Sequence, residues 1–201
     1  MFFIRRNYNS SVTSLGPSIF KDCSSLVKVT ILSSITSIKA FSFRGCTSLK
    51  EISIPSSVTR IDEGAFYRCS SLETFDFPTL IKKIEEGTFY NCSSLKEIIF
   101  PLSISSIGDF SFYGCSSLEQ MAIPSSVSTI GEQAFTTCSS LKEITFDPYE
   151  TQVSNNSFEN CESLDTLIYR VTCKEIKEVN SGVFDLIKKA KIISIPYTIK
   201  S

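Results

Sequence analysis

The chain has 201 residues, 42% of them hydrophobic, with 20 Lys and Arg against 21 Asp and Glu and a formal net charge of −1. That balance allows a buried core and argues against composition-driven disorder, and it offers no basic footprint for DNA or RNA. There is no histidine, which removes the commonest general base and metal ligand, and no run of about 18 apolar residues to predict a membrane span.

The chain opens Met1-Phe2-Phe3-Ile4-Arg5-Arg6. Three apolar residues before two arginines fall short of the roughly 7–15 that a secretory signal needs, so no leader is expected. The first coil is thin, with Phe3, Val12 and Leu15 as its only apolar lattice residues.

From there one fixed step, the distance from Cys23 to Cys46, governs the chain. It carries Cys23, Cys46, Cys69, Cys92, Cys115, Cys138 and Cys161, and only Cys173 falls off it. Three residues before each stands Phe20, Phe43, Phe66, Phe89, Phe112, Phe135 and Phe158; three after stands Leu26, Leu49, Leu72, Leu95, Leu118, Leu141 and Leu164. Eight before runs a column from Leu15 through Ile38, Ile61, Ile84, Ile107 and Ile130 to Val153; six and eight after run two more apolar columns. A period of this length marks a repeat architecture. No single unit has enough apolar residues to bury its own face, so neighbours stack into one continuous core.

One coil, 61–78, shows the local reading. Ile61, Ala65, Phe66, Cys69 and Leu72 fall near helical spacing, which predicts a short helix or 3₁₀ turn over 62–70. Glu73-Thr74-Phe75-Asp76-Phe77 alternates polar and apolar, the spacing of a strand. Pro78 cannot donate a ladder bond and ends it. Strands from successive coils stack in parallel, about 4.8 Å apart.

The last coil slips by three residues. Ile176, Val179, Phe184, Ile187, Ala190, Ile193, Ile195 and Pro196 restore the pattern if three residues are inserted near 174–182, with Ile187 in the cysteine place. The expectation is one α/β leucine-rich-repeat solenoid over residues 1–201, regular over about 10–170 and irregular over 171–201. It has a parallel sheet on the concave face and short helices or 3₁₀ turns and extended segments elsewhere. Neither end reads as a polar cap, so a longer solenoid or association through an end stands beside a frayed first coil.

The lattice cysteines have functional readings as disulfides, zinc ligands or nucleophiles. Zinc sites want close Cys pairs, and these lie a full step apart. Stacked cysteines come within disulfide range, but parallel Cβ vectors suit a bridge poorly. A buried ladder of small apolar side chains is the reading that suits all seven; Cys173 stands apart as a candidate exposed thiol. Glu51, Glu97 and Glu143 share one column on alternate coils, at a spacing of roughly 10 Å that touches the upper range of glycosidase carboxylates. Yet no coil is chemically unlike its neighbours, as an active site should be. No catalytic residue, cofactor or metal is expected.

Lys50, Glu73, Lys96, Glu119, Lys142 and Asp165 alternate in sign at every coil, which supports register because stacked opposite charges attract. Exposed pairs of this kind contribute little stability. The strand positions that point outward are Lys28, Glu51, Thr74, Glu97, Gln120, Glu143 and Thr166 in one column. In the next stand Thr30, Ser53, Asp76, Ile99, Ala122, Thr145 and Ile168. They are the candidate partner-binding face, with an apolar contact patch at Ile99 and Ala122 flanked by Glu97 and Gln120; a plain solvated sheet is the alternative. Three Asn-x-Ser triplets begin at Asn9, Asn91 and Asn155 and matter only in an exported chain.

The units Ile-Pro-Ser-Ser-Val-Thr-Arg-Ile-Asp-Glu-Gly-Ala-Phe-Tyr-Arg-Cys-Ser-Ser-Leu at 54–72 and Ile-Pro-Ser-Ser-Val-Ser-Thr-Ile-Gly-Glu-Gln-Ala-Phe-Thr-Thr-Cys-Ser-Ser-Leu at 123–141 closely resemble the BspA-like leucine-rich repeat. The resemblance runs from about residue 10 to 170 and more weakly to 197. It departs at the place where the general repeat has Asn or Cys; here stand Ser34, Ser57, Leu80, Ser103, Ser126 and Tyr149, whose hydroxyls replace an asparagine ladder only in part. The resemblance implies a surface antigen or adhesin of anaerobic bacteria or parasitic protists, holding a protein or glycan partner on its concave face. No nucleic acid and no membrane insertion are expected. Because the sequence shows neither export signal nor anchor, a cytoplasmic protein–protein scaffold is the alternative.

Overall fold

A computed structural model describes residues 2–4, 15–31, 35–146, 151–154, 156–169 and 191–194. The alternating segment after each leucine becomes a stack of short parallel strands. Phe2–Ile4, Lys28–Ile31 and Glu51–Ser53 form one sheet. Glu97–Ile98, Gln120–Ile123, Glu143–Phe146, Thr166–Tyr169 and Ile192–Ser194 form a second. In the regular part, pairing advances one repeat at a time: Val29 faces Ile52, Ile98 faces Met121, Met121 faces Ile144, and Ile144 faces Leu167. At the ends the step lengthens. Leu167 pairs with Ile193, farther along the chain than the regular step reaches. Phe2 pairs with Val29, again a longer step, so Phe3 lies opposite Thr30 and not in the leucine column where the regular step would put it.

The predicted strand at 73–77 takes no strand pairing. Its inward places hold Phe75 and Phe77, where the preceding coil has Ile52 and Ile54. The Phe75 ring sits edge-on to Phe66, Phe77 and Phe89, with centroids 5.0, 4.8 and 4.7 Å away. The ladder breaks at the coil that carries these two rings. Two links survive at its start: the Glu73 N–H donates to the Lys50 carbonyl at 3.3 Å, and the Lys96 N–H to the Glu73 carbonyl at 3.1 Å.

The isoleucine column forms two-residue parallel strands of its own. Ser37–Ile38 pairs with Arg60–Ile61, and Lys83–Ile84, Ser106–Ile107, Thr129–Ile130 and Gln152–Val153 form a further sheet. In the sequence, Ile61 counts toward helical spacing and no strand pairing is predicted in this column.

Of the short helix or 3₁₀ turn expected over 62–70, the described residues show no helix but a turn whose amides donate three residues back, Tyr67 N–H to the Gly64 carbonyl and Cys69 N–H to the Phe66 carbonyl, both at 3.0 Å. A tight turn occupies the place in each coil. Two positions per turn hold the left-handed conformation: Ser18, Phe41, Gly64, Gly87, Phe110 and Gln133 in one column, and Asp22, Gly45, Arg68, Asn91, Gly114, Thr137 and Asn160 in the other. A left-handed residue interrupts a right-handed helix. The amides also have other partners. The N–H of Phe43, Phe66, Phe89, Phe112 and Phe135 each donates to a carbonyl of the following coil at 2.7–2.9 Å, where a helix would aim it four residues back.

The core runs along the stack. The phenylalanine rings from Phe20 to Phe158 lie nearly parallel, with centroids 5.0–5.5 Å apart, and Phe43, Phe66, Phe89, Phe112 and Phe135 are fully buried. Each such ring contributes about 1.5–3 kcal/mol by burial, with stacking adding to it. Beside them runs the cysteine row. Cys46, Cys69, Cys92, Cys115 and Cys138 are completely buried, Cys161 nearly so, and none of the described cysteines is in a disulfide. Each thiol donates to the carbonyl of the phenylalanine one coil back, from Cys46 Sγ to Phe20 O at 3.0 Å through Cys161 Sγ to Phe135 O at 3.2 Å. The same carbonyl accepts the amide of the cysteine in its own turn, as Phe66 O does from Cys69 N at 3.0 Å. Cys23 departs from the expected buried ladder: it is exposed, in a first described turn that no described turn covers. Cys173 lies outside the described residues, as do Asn9 and Asn155.

Candidate functional site

Outward strand positions divide by burial. Glu51, Ser53, Thr74, Asp76, Glu97, Ile99, Gln120 and Ala122 are exposed, whereas Lys28, Thr30, Glu143, Thr166 and Ile168 are half-buried. Thr145 corrects the expectation that this whole column faces solvent: it is buried, at 6% exposure. Its short, β-branched side chain lies low on the pleat between the registers of Ala122 and Ile168, on the floor of a groove.

That groove, of about 300 Å³, runs beside Ile99. Glu97, Leu102, Ala122 and Pro124 line it along with Thr145, and Gln120 and Glu143 reach its rim. A second groove of about 320 Å³ lies on the other side of Ile99, between Asp76, Phe77, Thr79 and Pro101. Ile99 is therefore a ridge with a trough on each flank, 73% exposed, and Leu102 beside it is 79% exposed. Leu80, one coil back, is 54% exposed. The sequence reading singled out Ile99 and Ala122 but missed Leu102 and Leu80. The signal was present: both occupy columns that hold Ser or Thr in neighbouring coils, Ser56, Thr79 and Ser125 in one and Ser57, Ser103 and Ser126 in the other.

The alternating column pairs up beside this patch. Lys96 Nζ lies 2.9 Å from Glu73 Oε2, and Lys142 Nζ 3.2 Å from Glu119 Oε2. The hydrogen bond and charge of Lys96 hold the Glu73 carboxyl below its usual range. Lys28 pairs with Glu51 at 2.7 Å. Asp76, Glu97 and Glu143 carry no such ion pair among the described residues.

The remaining candidates go to structural roles. Burial pushes the Cys46 thiol up to about 12 and raises those of Cys69, Cys92, Cys115 and Cys138, with neighbouring thiols adding to it in Cys69, Cys92 and Cys138. Such thiols are poor nucleophiles. Hydroxyls fill the asparagine place only in part. Ser57 Oγ donates to the Ile35 carbonyl at 2.7 Å and Ser103 Oγ to that of Ile81 at 2.5 Å, while Leu80 cannot and Ser126 Oγ is buried with no partner among the described residues. Asn91 is half-buried in the left-handed turn.

Comparison with known proteins matches the model of the BspA type leucine rich repeat region in six copies, over residues 5–119 and 105–201. No curated protein matches. Among solved structures, the chain is similar to a leucine-rich repeat protein of T. pallidum at 28% identity and a TM-score of 0.75, over 81% of this chain and 76% of that one. It shares its fold with a leucine-rich repeat protein of Eubacterium ventriosum, at 22% identity and a TM-score of 0.52 over 94% of this chain and 71% of that one. The same holds for the pneumococcal vaccine antigen PcpA, at 20% identity and a TM-score of 0.53 over 92% of this chain and 40% of the antigen. Among the described residues no helix is long and apolar enough to cross a membrane.

Proposed function

The chain belongs to the BspA-type leucine-rich-repeat family, and on that premise we propose that it is a non-catalytic module of the adhesion or surface-antigen type that binds a protein on its outward strand face. The family's repeats are interaction modules, and one structural neighbour is a vaccine antigen. The observation that carries the reading is the apolar ridge: Ile99 and Leu102 stand 73% and 79% exposed, the highest among the exposed large apolar side chains of the described residues. Exposed apolar side chains gathered beside grooves mark interaction surfaces, and a plain solvated sheet has no use for two of them side by side.

Two experiments test this. Capture of a partner from extracellular-matrix extract by the purified chain is expected to be lost on Ile99→Asp, which leaves the core untouched; unchanged capture removes the ridge as the contact. Surface labelling of intact cells is expected to modify the protein. Labelling only after lysis would replace the adhesin with a scaffold inside the cell.

A further inference from the structure

We propose that the ridge receives an extended cationic–apolar peptide segment, with Lys or Arg side chains on either side of an apolar anchor. This rests on the reading of the strand face as a protein-binding surface and goes further by naming the chemistry of what it binds.

The argument is one of charge and spacing. Neither groove beside Ile99 is lined by a Lys or an Arg. The lysines of the nearest column, Lys96 and Lys142, are each held by a glutamate of the coil before. The carboxylates of Asp76, Glu97 and Glu143 are left over, and they flank Ile99 in its own coil and in coils on both sides. The face thus pairs an unneutralised acidic rim with an apolar crest, although the chain as a whole is close to neutral. A partner that buries Ile99 and Leu102 must desolvate or pair these carboxylates, and leaving them unpaired at a contact is unfavourable. Cations on the partner meet that requirement.

Spacing sets the length. Coils stack about 4.8 Å apart, so the three coil steps from Asp76 to Glu143 span about 14 Å, which about four or five extended residues cover at roughly 3.3 Å each. Alternate side chains of an extended segment point the same way. An apolar residue can therefore sit in the trough between Ile99 and Leu102 while cations two residues to either side of it, on the same side of the segment, face the rim.

The test uses three fluorescein-labelled peptides and anisotropy: Gly-Lys-Ser-Leu-Ser-Lys-Gly, the same peptide with Glu for each Lys, and the same with Ser for the Leu. The first is expected to bind at least about tenfold tighter than either other, the scale of two exposed ion pairs or one buried side chain, and to weaken with added salt. Glu97→Lys with Asp76→Lys is expected to reverse the preference between the first two peptides. A control with the same change in net charge, Glu63→Lys with Glu86→Lys on the exposed turn side, is expected to leave it unchanged. Equal binding of the Lys and Glu peptides, no binding of any of them, or equal effects of the two double variants overturns the inference. If in that case Ile99→Asp still abolishes capture of the natural partner, the protein-binding reading stands and only the chemistry assigned here falls. If peptide preference holds but Ile99→Asp leaves natural capture unchanged, the protein-binding reading is what fails.

Discussion

Cys69, Cys92, Cys115 and Cys138 do the same thing in every coil: each is buried, and each hands its S–H to a phenylalanine carbonyl one coil back. Five residues further on, the same step carries Thr74, Glu97, Gln120 and Glu143, and no two neighbours in that series agree. The difference teaches where the repeat is under constraint. A buried column must match the shape and donors of the coils above and below it, because interiors are close-packed and tolerate few voids. An exposed column answers only to what lies outside, so its irregularities, with Ile99 and Leu102 foremost, are where function can be written.

Alkaline pH should break that contrast most severely. Thiols whose ordinary value is 9.0 are raised by burial, Cys46 to about 12, so above pH 9 the unfolded chain gives up protons that the folded chain retains. The thiol row's contribution is intact below about pH 9 and is lost as pH rises toward 12. Urea midpoints measured from pH 7 to pH 11 should fall once pH passes 9; a flat profile would mean that the row is not buried as described. Phe89→Ala comes next, with a loss of about 3–5 kcal/mol by urea unfolding, since the ring stacks on two neighbours and meets Phe75 edge-on. Cys92→Ala should cost less, about 1–2 kcal/mol, for the sulfur's contacts and its hydrogen bond. Ile99→Asp should shift stability by no more than about 0.5 kcal/mol, and a larger loss would place Ile99 in the core and not on the binding face. The smallest change is expected from Lys96→Ala: no measurable shift in unfolding, but a rise in the Glu73 titration by carbon-13 NMR as its cation is removed.

Much of this was legible in the residues. The phenylalanine, leucine and cysteine columns announce burial because only a stacked interior needs the same side chain at every step. The sequence left a short helix and a turn both open for a physical reason: Ile61, Ala65, Phe66 and Cys69 face inward at steps of three and four, which is what a helix shows, and a tight turn around the same core makes the same demand. Phe41, Phe110 and Gln133 gave no warning of left-handed backbone, since none of them favours it. The pairing at 73–77 was misjudged because alternation reports which side chains point inward and not whether backbone amides and carbonyls of neighbouring coils meet along the whole strand.

By its own pattern the sequence determined the step, the columns that are buried and the columns that are not, because burial depends on a side chain's chemistry and recurs wherever that chemistry recurs. Only the tertiary structure decided the left-handed turns, the second ladder at the isoleucines, the burial of Thr145 and the two grooves beside Ile99. Those depend on hydrogen bonds and contacts between residues a full coil apart in the chain, and their geometry is set by the neighbouring coil.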